Sequence, residues 1–242
     1  MEIMVLLTEL AEVHIRWGFK KMMAKIKILD KGWNHKRVYR VYCELKLNLR
    51  IKPRKRIPSG NPKVLMQPIK ANVCWSMDFM SDALTSGLRF RTLNVIDDYN
   101  RRALLVYPDF SISSEKVTAC LDRVALRHGY PDMIRVDNGP EFIASNIRLW
   151  AKRKGIKLIH IQPGKPAQNG YIERFNRTYR DDILSMYLFD NLDEVKLVTK
   201  PWIEFYNNER PHESLANLAP TNFAVTRNLL SNNNAKEGLM IY

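Results

Sequence analysis

The sequence predicts an α/β fold: a mixed five-stranded sheet flanked by helices, preceded by a small all-helical helix-turn-helix module. Three observations predict it. Five runs after residue 73 are rich in β-branched and aromatic residues and bounded by turn signals. Around the later runs, apolar residues recur at three- and four-residue spacing, the period of a helix packed on one face. The first third carries helical spacing alone.

The 242 residues are 45% hydrophobic and 10% aromatic, which excludes a mostly disordered chain. The most apolar stretches, such as Ile3–Leu7 and Ala103–Tyr107, fall far short of the ~20 residues of a membrane span. No secretory pattern opens the sequence, so no membrane partner is expected. Cys43, Cys74 and Cys120 are widely spaced without a C-x-x-C pair, and the five histidines are scattered. These are reduced thiols of a cytoplasmic protein, and they give no zinc pattern. The net charge of +14 and pI near 9.7 point to a polyanionic partner. Residues 1–72 hold 17 Lys and Arg against 5 Asp and Glu, whereas residues 73–242 hold 22 against 20. Nearly all the excess therefore belongs to the first third, and the two regions have different tasks.

Residues 3–13 and 17–29 read as helices, the second with Phe19, Met22, Ile26 and Leu29 on one face. Gly32-Trp33-Asn34 breaks the chain, and Asn34 suits the N-cap of a third helix. That helix, from His35 to Leu45, turns Val38, Val41, Tyr42 and Leu45 inward and leaves Lys36, Arg37 and Arg40 on the other face. A helix, a Gly-containing turn and a basic second helix form the pattern of a helix-turn-helix DNA-binding module over residues 1–52. A basic, proline-rich linker follows over 53–70, where Lys52-Pro53-Arg54-Lys55-Arg56 is placed to track phosphates.

Val73–Met80, Leu88–Asp97 and Arg102–Phe110 read as an antiparallel meander. Ser113–His128 reads as a helix with Val117, Cys120, Leu121 and Val124 on one side. Met133–Val136 is a short buried strand, Glu141–Lys154 a helix, Ile156–Ile161 a strand, and Ala167 to about Tyr187 a long helix. The order βββαβαβα gives a mixed sheet with helices on both faces.

Three acids stand out by position. Asp78 lies in the otherwise uncharged strand Cys74–Met80, where a carboxylate is costly unless it is paired or binds a cation. Asp137 ends the short strand, and Glu173 begins the last helix. Two adjacent strands and a flanking helix can bring the three together, and such a set repels itself unless cations hold it. Hard oxygen donors suit Mg2+ or Mn2+, and a pair of such ions clamps an in-line phosphoryl displacement. Each acid also has a plainer reading: Asp137-Asn138-Gly139 is an ordinary turn, and Glu173 can pair with Arg177 one helical turn later.

The 35 residues between Asp137 and Glu173 narrow that choice, because this spacing resembles the DDE triad of retroviral integrases and related transposases. The likeness is closer still to bacterial insertion-sequence transposases of the IS-three type, the downstream-frame product. It is carried by Trp75-Ser76-Met77-Asp78-Phe79, Asn94-Val95-Ile96-Asp97-Asp98-Tyr99, Asp137-Asn138-Gly139-Pro140-Glu141-Phe142, Gln162-Pro163-Gly164-Lys165-Pro166, Gln168–Asn176 and Tyr206–His212. Trp33–Arg40 is similar to that family's second helix-turn-helix, and the likeness spans about residues 7–225.

The resemblance implies an RNase H-like integrase catalytic core over 71–225, with a tail at 226–242 that carries no family motif and is expected to be disordered. It implies cleavage at the element's ends by metal-activated water, then attack of a terminal 3′-hydroxyl on target DNA. Asp78, Asp137 and Glu173 are the implied catalytic residues and ligands of a two-metal Mg2+ or Mn2+ site. Asn138, Gln168 and Asn169 are implied DNA contacts beside them. Arg177 and Arg180 share a helical face with Glu173 and flank the site with cations. The implied partners are double-stranded DNA, at element ends and target, further copies of the chain in synapsis, and the upstream-frame protein, in the bacterial cytoplasm at the nucleoid. The family's upstream helix-turn-helix and leucine zipper have no counterpart ahead of Met1. The alternative is therefore a non-catalytic DNA-binding modulator of the full-length frameshift transposase.

Overall fold

The computed structural model describes residues 1–49, 67–162 and 166–227. Most of the predicted linker and tail lies outside them. The chain divides into two compact units, Met1–Gly60 with Arg210–Ala219 and Asn61–Glu209 with Pro220–Tyr242.

Among its described residues the first unit has three helices, α1 (Glu2–Val13), α2 (Phe19–Ile28) and α3 (His35–Glu44). Their inward faces supply Ile3, Leu7, Leu10, Met22, Ile26, Val38 and Tyr42, with Trp17 buried between α1 and α2 in sequence. Asn34 caps α3 as predicted, its Oδ1 accepting the Lys36 N–H at 2.8 Å. Leu29, predicted on the apolar face of α2, is exposed instead, because the helix ends at Ile28 and Asp30 turns the chain with φ +53°. The Phe19 ring meets His35, Tyr39 and Tyr42 at centroid distances of 5.0, 4.8 and 5.3 Å. Within the 210–219 segment, a 3-10 turn over Glu213–Leu215 buries Leu215.

The second unit is built on a five-stranded sheet of order β3-β2-β1-β4-β5. The strands are β1 (Cys74–Ala83), β2 (Arg89–Asp97), β3 (Ala103–Asp109), β4 (Met133–Val136) and β5 (Lys157–His160). The first three form the predicted antiparallel meander, and β4 and β5 add in parallel. Side-chain alternation separates two cores. On one face Trp75, Met77, Leu93 and Val95 pack against α4 (Ser114–His128) and the helical segment after β4. On the other, Met80, Phe90, Ile96 and Val106 pack against α7 (Gly170–Tyr179) and α8 (Leu192–Asn208). In the β2–β3 turn, the fully buried Asp98 accepts Arg135 Nη1 at 2.6 Å. Burial pushes its carboxyl up and Arg135 pulls it back down.

Three elements differ from expectation. The helix expected over 141–154 is two, α5 (Pro140–Ile143) and α6 (Ser145–Lys154), parted at Ala144 with φ −53° and ψ 145°. Phe142 and Ile147 lie about 140° apart around a continuous helix. The break lets both reach the core at 0% exposure. The long last helix is also divided: a 3-10 turn (Pro166–Asn169), α7, then a π turn (Arg180–Leu184). Helix α8 was not anticipated, although Val195, Thr199, Trp202 and Tyr206 follow helical spacing, because Pro201 interrupts the pattern. No helix among the described residues is long and apolar enough to cross a membrane.

Candidate active site

The strand period decides where Asp78 points. Met77 and Phe79 face the α4 side, so Asp78 between them faces α7. It stands opposite Asn94 in the β1–β2 register. Asn94 Nδ2 donates to Asn176 Oδ1 at 2.7 Å, and Asn176 Nδ2 donates to Asp78 Oδ2 at 2.8 Å. The Phe79 N–H donates to Asp78 Oδ1 at 2.8 Å. Both carboxylate oxygens are thus held, one from α7 and one from the strand's own backbone.

The parallel pairing of β1 with β4 aligns Cys74 with Met133 and Ser76 with Arg135. Continuing that register past the end of β4 brings position 137 alongside position 78. Asp137 Oδ1 accepts the Gly139 N–H at 2.9 Å, and a Cβ at Gly139 would lie 3.0 Å from that same oxygen. Glycine here permits the turn to close on the carboxylate. Glu173 lies in the first turn of α7, exposed, where the positive end of the helix dipole favours an anion.

The three acids share one field. Asp78 is pushed up to about 6, first by burial, with the charges of Asp137 and Glu173 adding to it and the Phe79 N–H and Asn176 opposing it. Among the described residues none of the three forms a salt bridge. Nor does any group of three or more His, Cys, Asp or Glu stand close enough to hold a metal ion. The donor chemistry still fits a hard divalent cation: three carboxylates, mutually repelling, with only neutral groups donating to Asp78 and Asp137.

The other predicted residues fall in several places. Asn138 Nδ2 donates to the Ile161 carbonyl at 3.0 Å, tying the ends of β4 and β5. Gln168 Oε1 accepts the Gln162 N–H at 2.9 Å, and its Nε2 donates to Gln162 Oε1 at 3.2 Å. Asn169 is 3% exposed, and its Oδ1 has no hydrogen-bond partner among the described residues. Arg177 is exposed one turn beyond Glu173. Arg180 opens the π turn and gives its guanidinium to Asp82 Oδ2 at 3.3 Å and the Ser81 carbonyl at 2.8 Å. Lys36, Arg37 and Arg40 are exposed on α3 of the first unit, Arg40 lying 3.7 Å from Glu44. Sequence reasoning missed Asn94 and Asn176 as site residues. Their signal was a polar amide inside an apolar strand and another three residues beyond Glu173.

Two family models, each described as an integrase core domain, match residues 68–166 and 154–220. An uncharacterised 31.7 kDa protein of insertion element IS407 from Burkholderia multivorans is 39% identical over 219 residues, 90% of this chain and 79% of that protein. An uncharacterised 39.2 kDa protein of insertion element IS476 from Xanthomonas euvesicatoria is 37% identical over 229 residues. That match takes in 95% of this chain, which spans 66% of the relative's length. Among solved structures, the catalytic core domain of BIV integrase superposes with a TM-score of 0.51 at 16% identity, over 66% of this chain and 99% of that one. The likeness is one of fold, and the sheet is RNase H-like as expected.

Proposed function

Because this chain belongs to the insertion-element transposase family, whose core is an integrase-type polynucleotidyl-transferase domain, we propose that it cuts DNA at the ends of an insertion element and joins them to target DNA. Asp78, Asp137 and Glu173 are the catalytic residues and hold the divalent cations. The observation that carries this reading is that Asp78, pushed up to about 6 first by burial, also feels the charges of Asp137 and Glu173. Bound there, Mg2+ or Mn2+ supplies Lewis acidity, neutralising phosphate oxygens and acidifying the attacking hydroxyl.

The protein's own groups prepare the site. The Phe79 N–H and Asn176 fix the direction in which Asp78 presents its lone pairs. The Gly139 N–H does the same for Asp137. Glu173, exposed on the first turn of α7, is free to turn toward a divalent cation shared with Asp78 and Asp137. Arg177, with no ion pair among the described residues, is the cation of that face suited to a DNA phosphate, since Arg180 is occupied by Asp82. Asn138, Gln168 and Asn169 line the DNA path, and Lys36, Arg37 and Arg40 grip duplex DNA. Element ends and target are the DNA partners; synapsis requires further copies of the chain, and the upstream-frame protein is an additional partner.

Incubating the protein with end-sequence duplexes and Mn2+ is expected to give strand-transfer products that Asp137→Asn abolishes. Equal yields from wild type and variant would overturn the assignment. A second reading, DNA binding without chemistry, is favoured by one observation: the three acids do not draw together into a metal-holding group on their own. It requires shifted DNA without nicks in the same assay, and any metal-dependent product excludes it.

A further inference from the structure

We propose that Phe79, Arg91, Glu141 and Phe142 form a positioning clamp that sets Asp137 against Asp78, and so governs how tightly the carboxylates take a divalent cation; the proposal rests on the reading of that site given above. Asp137 needs such a device. It lies beyond the last paired residue of β4, and its carboxylate is held by the Gly139 N–H of its own turn. Where the carboxylate sits therefore depends on what anchors residues 138–144. Helix α5, the element that follows, has only four residues, too few to hold its own shape.

The anchors come from the neighbouring strands. Phe142, at 0% exposure, stacks on Phe79 with ring centroids 4.9 Å apart and planes 12° from parallel. Phe79 is the residue after Asp78, and its ring leaves the opposite face of the sheet. The Arg91 guanidinium carbon lies 4.1 Å from the Phe79 ring centroid, and Arg91 Nη1 pairs with Glu141 Oε1. The contacts close a circuit: Phe79 to Arg91, Arg91 to Glu141, Glu141 through the chain to Phe142, and Phe142 back to Phe79. Burying Phe142 would satisfy the core by itself. The ion pair adds a fixed direction, because guanidinium stacking on Phe79 orients the fork that Glu141 receives. A partly solvated ion pair, here with side chains 32% and 19% exposed, contributes modest stability. Arg91 and Glu141 are accordingly positioning residues, acting on Asp137 through the turn rather than on the substrate.

The test uses the full chain, with Glu141→Gln, Arg91→Met and the double variant. Hydrogen exchange reports the anchoring of residues 137–144, and calorimetry reports Mn2+ affinity. Either single substitution is expected to speed exchange in 137–144 while leaving α4 unchanged, and to weaken Mn2+ binding roughly tenfold, the scale seen when groups that orient metal ligands are lost. The double variant should be no weaker than the worse single one, because both remove the same link. Unchanged exchange in 137–144 overturns the clamp. Faster exchange with wild-type Mn2+ affinity overturns its connection to the site. If Arg91→Met unfolds, the near-isosteric Glu141→Gln decides the matter. A wild type that takes up no Mn2+ overturns the functional reading, and the clamp with it; that failure is visible in the wild-type arm alone.

Discussion

Asp78 sits where a carboxylate is disfavoured, and the cost has a measurable sign. Its folded pKa, about 6, lies above the ordinary carboxylate value of 3.8. The protonated form therefore favours the folded state. That contribution is fully present below pH about 4 and is lost as pH rises through 6. Metal-free protein should lose stability across this window. Asp78→Asn removes the buried charge, and with it the repulsion, but leaves one oxygen where two accepted bonds, so its net gain at pH 7.5 is about 1–2 kcal/mol. A melting temperature several degrees above wild type is the expected result, and an unchanged or lower one would mean that the carboxylate is not under stress. At Gly139 the expectation is opposite in kind. Alanine suits its φ of −60°, so stability should change little. Its Cβ would press on Asp137 Oδ1 from 3.0 Å, and strand transfer should fall at least tenfold. Full activity in Gly139→Ala would show that the close turn is dispensable.

The strands and α4 were legible because each buries one face against a continuous partner, and alternation or helical spacing then records the burial directly. Val117, Cys120, Leu121 and Val124 were read as one face and all are buried. The α5–α6 break and the π turn were not legible. Both are set by where Phe142, Ile147 and Arg180 must reach across the fold, and local spacing does not encode that. The three acids were visible because each is an anion in an unusual context. Asn94 and Asn176 were not, since a neutral amide carries no charge to mark it and only the β1–β2 register and α7 together make it a relay. That relay joins three elements. Asn176→Leu would leave Asp78 with one donor fewer and orphan the Asn94 amide, at a cost of about 1–3 kcal/mol. A chemical denaturation midpoint unchanged from wild type would remove the relay from the account of α7 docking.

Over the whole molecule, the charge is unevenly divided. The first 72 residues carry a net +12 and the remainder +2. In the first unit, Lys36, Arg37 and Arg40 are exposed on α3 while Val38 and Tyr42 are buried beneath them. Replacing the three cations with alanine should weaken duplex binding and reduce the slope of log affinity against log salt by about 2–3. An unchanged slope would return α3 to a solvated surface helix. Residues 73–242 are nearly neutral, and the three acids among them repel phosphate until a cation intervenes.

The affinity of the full chain for Mn2+, followed by calorimetry from pH 5 to pH 7.5, therefore bears most directly on the carboxylate site. With Asp78 titrating at about 6, affinity should fall roughly tenfold from pH 7 to pH 5 as the proton competes for the ligand. Asp78→Asn should bind weakly and show little of this dependence. Absence of Mn2+ binding, or an affinity flat across the same range in wild type, would contradict a cation site built from Asp78, Asp137 and Glu173.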